Sequence, residues 1–359
     1  MSAAIYIDTA LLAIPNYADT PEEAEEVILR LKHWSDIAFR YGARRISRRE
    51  TAEDVLGELG FFPAHNNVKD LLEFTGLDEV YDANSVWSSY NTLLERSGLI
   101  SETLGFEIDD SVDVIADPNI LEDCCPAALR LTTESLFATI LVADEVEERR
   151  GRFVASAFSG GVDQIQVSAT ANSARGASAH VAEPLPRPLA GPLSLIGRVE
   201  DMLSEADTLA LWRDAETICD LHFAILLKAL QIRAAEGQGN DIRAISVFGI
   251  GSDFLATITK NGCGNGGPYA GATLETCARI ALGAPKNALR PFGKPDQTIR
   301  SRDKAKALRT HVTKGGVAIR LMVWERPDGT IEFANVGPKG ELEISEGDLT
   351  QTFEVAKFG

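Results

Sequence analysis

The chain has 359 residues, 45% of them hydrophobic and 25% charged, with 53 acidic and 35 basic side chains and a net charge of −18. This is the composition of a globular protein, and the length favours two domains over a single core. Apolar runs end after about nine residues, against the roughly 20 that a membrane helix needs, so a membrane-spanning segment is not expected.

In chain order, Ala4–Asp8 reads as a buried strand ending in an acid. Thr20-Pro21-Glu22-Glu23 supplies a capping hydroxyl, a proline at the first helical position and a glutamate three residues after the cap. The helix it opens should bury Ile28, Leu31, Trp34 and Ala38 and stop near Gly42. Ser47-Arg-Arg-Glu50 repeats the capping signature, so a second helix start is expected there. Further helices are expected near 66–75, 82–97 and 126–149, with a strand at 111–116 before Asp117-Pro118. Segments 152–158 and 162–170 alternate around Gly160-Gly161 and predict a hairpin.

Residues 173–197 are rich in Ala, Ser, Gly and Pro, which argues against a central strand and marks a linker or ordered loop. The expected division is therefore 1–172, an acidic, helix-rich α/β domain with a small sheet, and 198–359, an α+β domain ending in a β-hairpin. A long helix is predicted over 208–235, where Leu211, Ile218, Ile225 and Ile232 recur every seven residues. A strand at 243–248, helices at 252–259 and 271–282, and a flexible loop at 261–267 follow. Val317–Trp324 and Thr330–Val336 flank Pro327-Asp328-Gly329, a strong hairpin signal, and a last strand is expected at 341–344.

Charge is distributed unevenly along the chain. Residues 1–150 carry 30 acids and 12 bases; residues 279–326 carry 3 acids and 12 bases, a balance of +9. Such polarity points to two surfaces with different partners. The basic block suits nucleic acid or an acidic protein surface, and other protein subunits fit the same pattern. Arg302, Lys306 and Arg309 would share a face if the segment were helical, at i, i+4 and i+7. They are the expected phosphate-binding residues. His311 follows as a general acid or base, with Lys314 and Arg320 to stabilise developing negative charge.

Ile5-Tyr6-Ile7-Asp8-Thr9 resembles the opening of PIN-like ribonuclease domains, where a strand ends in Asp-Thr or Asp-Ser. The resemblance implies a Mg²⁺ or Mn²⁺ site of three or four carboxylates, here Asp8 with Asp113, Asp117 and Asp144, and with Glu50 as a further companion. Asp8 could instead cap the turn after its strand. Gly249-Ile-Gly251-Ser-Asp-Phe254 lacks the third glycine of a dinucleotide loop, so no nucleotide cofactor is expected.

The five cysteines, Cys124, Cys125, Cys219, Cys263 and Cys277, are odd in number and have no C-x-x-C spacing. Together with a first basic residue at Arg30, they fit a cytoplasmic protein without a secretory leader. These features point to a nuclease or another nucleic-acid-processing component of a bacterial-type multiprotein system. A non-catalytic adaptor, whose acidic domain docks a partner or mimics nucleic acid, is the alternative.

Overall fold

The computed structural model describes residues 5–16, 18–42, 45–146, 153–158, 163–176, 184–293, 297–313 and 317–358. It is a mixed α/β structure with two sheets. The trace divides into two compact units, Ala3–Met202 and Leu203–Gly359.

The first unit contains, in order, β1 (Ile5–Ile7), α1 (Thr9–Leu12), α2 (Pro21–Tyr41), β2 (Ile46–Arg48), α3 (Ala52–Glu58), α4 (His65–Thr75), α5 (Ala83–Arg96), β3 (Gly98–Leu99), α6 (Ile100–Leu104), β4 (Phe106–Asp117), α7 (Ile120–Asp123), α8 (Arg130–Val146), β5 (Phe153–Ala155), β6 (Asp163–Gly176) and β7 (Arg187–Ile196). Its sheet has the order β3-β2-β1-β5-β7-β6-β4. The five strands from β3 to β7 run parallel, and β6 and β4 are antiparallel additions.

The start of α2 follows its sequence signals. Thr20 Oγ1 accepts from the Glu23 N–H at 3.2 Å, Glu23 accepts from the Asp19 N–H at 2.9 Å, and Gly42 ends the helix at φ 59°. Val27, Ile28, Leu31, Trp34 and Ala38 form its buried face. The second capping signature does not open a helix. Ser47 lies within β2, where pairing to β1 takes the backbone, and α3 begins after Thr51. The main core packs Leu136, Phe137, Ile140 and Leu141 of α8 against Ile108, Val154, Ile165, Val167, Leu193 and Leu195 of the sheet.

Two expectations for this unit are corrected. Segments 152–158 and 162–170 do not pair as a hairpin, because β7 lies between β5 and β6. Nor do the described residues of 173–197 form a linker: 173–176 end β6, and 187–196 form β7, an interior strand of the seven-stranded sheet. Its prolines are tolerated for a local reason. Pro188 and Pro192 lie four residues apart, and β5 pairs β7 only over Ser194–Ile196. Beyond that stretch no described strand pairs with this edge of β7, so a missing N–H there disrupts no described ladder.

The second unit contains α9 (Thr208–Arg213), α10 (Ile218–Ala235), β8 (Phe248–Ile250), α11 (Phe254–Lys260), α12 (Ala270–Ala281), β9 (Arg290–Pro291), β10 (Lys306–His311), β11 (Ile319–Glu325), β12 (Ile331–Pro338) and β13 (Phe353–Glu354). The strand order is β13-β8-β12-β11-β10-β9. The predicted single helix over 208–235 is two helices. Thr217 and Asp220 form a reciprocal capping box that restarts the chain as α10. The β11–β12 hairpin forms around Asp328-Gly329 as expected, whereas 341–344 is not a strand.

One buried network ties this sheet together. Arg300, whose side chain has no exposed surface, meets Glu332 through two bonds of 2.7 and 2.9 Å and Asp303 through two of 3.0 and 2.6 Å. Its guanidinium lies 4.9 Å from the Trp324 ring centre. Arg326 joins the other side of Glu332 at 2.9 Å. Burial pushes the Glu332 carboxyl up, but hydrogen bonds from Arg300 and Arg326 outweigh it and hold the group below its ordinary 4.5. Glu332→Gln should therefore cost about 3 kcal/mol, read as a lower urea midpoint with unchanged slope. A depressed carboxyl stabilises the fold above its unfolded value, so the gap between wild type and variant should narrow as pH falls below 4.5.

Candidate functional site

The strongest candidate is one face of the second sheet, and strand register builds it. In antiparallel pairs, directly opposed residues share a face, and so do residues two apart on one strand. His311 on β10 is opposite Arg320 on β11. Arg309 is two residues before His311 and opposite Arg290 on β9. Arg290, Arg309, His311 and Arg320 therefore occupy neighbouring positions on one face. Ala307, Met322 and Trp324 continue that face into a small apolar cluster with Phe292, Ala305 and Ala334.

The local setting fixes these side chains. The Arg309 guanidinium lies 5.5 Å from the Phe292 ring centre. Arg320 donates to the Lys339 carbonyl at 3.0 Å. Burial and then the nearby Arg309 charge lower the Arg320 guanidinium from its ordinary value. The end of β10 is anchored by Asn287, which donates to the His311 carbonyl at 3.0 Å, and by Thr310 Oγ1, which donates to the Asn287 carbonyl at 3.0 Å.

Among the described residues, Arg290, Arg309 and Arg320 form no ion pair with a carboxylate. Other cations of the unit do: Arg279 with Glu236 and Glu275, Lys286 with Glu275, Arg300 with Asp303 and Glu332, and Arg326 with Glu332 and Glu354. Adjacent like charges with no described carboxylate partner, half-buried at Arg309 and Arg320 and exposed at Arg290, form a positive field on this face.

The expected cationic helix does not exist. Arg302 sits in a turn, where it donates to the carbonyls of Glu346 and Gly347. Lys306 and Arg309 are both on β10, but an odd spacing of three sends them to opposite faces. Helical spacing therefore grouped the wrong residues, and strand register replaces Arg302 and Lys306 with Arg290 and Arg320. Lys314 lies outside the described residues.

The expected metal set does not assemble. Asp8 is buried at the end of β1, where it caps α1. Thr133 Oγ1 donates to Asp8 Oδ1 at 2.8 Å, and the Ala10 N–H reaches the same oxygen at 3.4 Å. Asp113 and Asp117 are exposed on β4, four strands from β1, on the order of 19 Å across the sheet. Register separates them along the strands as well. Asp117 is opposite Gln166 and Gln166 opposite Pro192, before the part of β7 that β5 pairs. The Asp144 side chain lies outside the described residues. Glu50 is exposed, and its N–H donates to Glu107 at 3.2 Å. Among the described residues, no three His, Cys, Asp or Glu side chains converge as a metal site.

Sequence reasoning missed Arg290 and the partner of Asp8. Thr133 is far from Asp8 along the chain, and no local pattern links the two. Arg290 lies within the basic block, but its pairing with Arg309 is a property of the sheet. No family model, curated protein or solved structure matches the chain.

Burial pushes the Asp8 carboxyl up from 3.8 to about 6, against the hydrogen bonds from Thr133, Ala10 and Thr9 that lower it. Its neutral form is favoured in the fold. That stabilisation is complete below 3.8 and is lost as pH rises through about 6, an effect of about 3 kcal/mol. Asp8→Asn keeps an oxygen acceptor and has no charge to bury. The variant should therefore flatten the pH dependence of unfolding across this window, as measured by urea melts from pH 4 to 7.

Proposed function

We propose that the second unit binds the phosphodiester backbone of nucleic acid on the face formed by Arg290, Arg309, His311 and Arg320, as part of a nuclease or nucleic-acid-processing protein. The observation that supports this reading is the row of neighbouring arginines without carboxylate partners among the described residues, beside a histidine directly opposite one of them. Guanidinium groups match phosphate oxygens in geometry as well as charge. In this reading Arg290 and Arg309 position the backbone. His311 takes a proton from the attacking hydroxyl, and Arg320 stabilises charge on the phosphate oxygens.

The chemistry sets a preference between substrates. With His311 as base, an RNA 2′-hydroxyl attacks its own phosphodiester to give a 2′,3′-cyclic phosphate, and the 5′ oxygen of the next nucleotide leaves as a hydroxyl with a proton taken from water. DNA lacks that internal nucleophile. The alternative is an adaptor whose cationic face docks an acidic protein.

Binding is measured by fluorescence anisotropy of labelled single-stranded RNA and DNA over a salt series. Arg309→Ala and Arg320→Ala should each weaken binding and reduce the log–log salt slope by about 0.7, one phosphate contact. Lys306→Ala, on the opposite face, should leave the slope near the wild-type value. His311→Ala should abolish RNA cleavage while leaving binding within about twofold. Equal cleavage by wild type and variant would remove His311 from the reaction. Binding without cleavage by either protein would favour the adaptor, and no binding by wild type would end the nucleic-acid reading.

A further inference from the structure

The first unit carries a groove that the cationic face does not use. It lies between the segment leading into α2 and one face of α4, and its volume is about 540 Å³. Asn67, Asp70, Leu71 and Phe74 line it from α4 at i, i+3, i+4 and i+7, a single helical face. Pro15, Pro21 and Ala24 line the opposite wall, with Asp19 at its rim. The walls are joined by the Ile14 N–H, which donates to the Phe61 carbonyl at 3.0 Å.

Two observations make this a docking surface. Phe74 is 90% exposed, the highest value among the large apolar side chains described as exposed. Helix formation does not require it outward-facing, and Val68, Leu71 and Leu72 already supply the buried face of α4. The charged lining residues, Asp19 and Asp70, are both acids. Glu22 and Glu23 in the first turn of α2 extend the negative field, while Lys69 and Glu73 on α4 pair with each other at 3.4 Å and add no net charge. A lining that sets Leu71 and Phe74 beside the carboxylates of Asp19 and Asp70 complements a segment that carries apolar and cationic side chains together.

We infer that this groove receives an amphipathic, cationic segment of a partner protein, with a large apolar side chain packed against Leu71 and Phe74 and flanking Lys or Arg residues near Asp19 and Asp70. The volume accommodates a few side chains of one helix or extended segment, not a folded domain. The inference is independent of the nucleic-acid reading, because it concerns the other unit and the opposite charge.

The test uses the full chain and two short labelled peptides, one amphipathic sequence of leucine and lysine and a counterpart with glutamate in place of lysine. Anisotropy should show the cationic peptide binding at low salt, weakening as salt rises, and the acidic peptide not binding. Phe74→Ser and Asp70→Lys should each weaken binding by about fivefold or more. Both positions are exposed, so the fold should tolerate the changes. Glu95→Lys makes the same charge change outside the groove and should alter binding by less than about twofold.

Three results would overturn the inference: no binding of the cationic peptide, equal binding by the groove variants and wild type, or equal loss in Glu95→Lys. A fourth would come from sedimentation. If the chain self-associates at low salt and Phe74→Ser abolishes this, the occupant is a second copy rather than a partner's segment.

Discussion

Desolvation of arginine is the constraint on which the second unit depends. A buried guanidinium is tolerable when carboxylates and an aromatic ring surround it. Arg300 satisfies this with Glu332, Asp303 and Trp324, and so ties the turn before β10 to β11 and β12. The β10–β11 ladder then places Arg309 and Arg320 on the same face, where no described carboxylate compensates them. The same residue type is thus neutralised at one end of the sheet and left with uncompensated charge at the other. Removing charge at the first end should loosen the fold; removing it at the second should leave the fold largely intact and change what binds.

The first unit follows the opposite logic. Its acids are mostly at the surface, and the buried exceptions are locally satisfied. Glu107 accepts from Arg49 and from the Glu50 N–H, and Asp8 from Thr133 and the first turn of α1. An acid at the end of a central parallel strand has a structural role here before any chemical one. The surplus of surface carboxylates favours cationic partners over phosphate-bearing ones on this unit.

Local signals were legible in the sequence, and pairing was not. Thr20, Pro21 and Glu23 define the start of α2 because a helix cap is made within four residues. Asp328-Gly329 defines a hairpin for a similar reason. By contrast, Arg302, Lys306 and Arg309 fit a helical spacing, while alternation through Ala307, Arg309 and His311 fits a strand. Only the partner strand β11 decides between them. The proline-rich segment was misread because proline argues against pairing on both edges, whereas Pro188 and Pro192 lie where β7 needs a partner on one edge alone. The candidate site itself was half visible: His311, Arg309 and Arg320 stand out by residue type, and Arg290 joins them only through register.

The central place of β7 also bears on how the protein is made. β1 pairs with β2 and β5, yet β5 has β7 as its other neighbour, and β6 reaches the parallel strands only through β7. During synthesis, residues up to 176 can leave the ribosome with β1 to β6 all present while the sheet remains in two unjoined pieces. Closure awaits residues 187–196, just before the end of the unit at Met202. Between the synthesis of β6 and that of β7 the acidic half of this chain therefore exposes two open sheet edges, an interval in which its high negative charge keeps nascent chains apart.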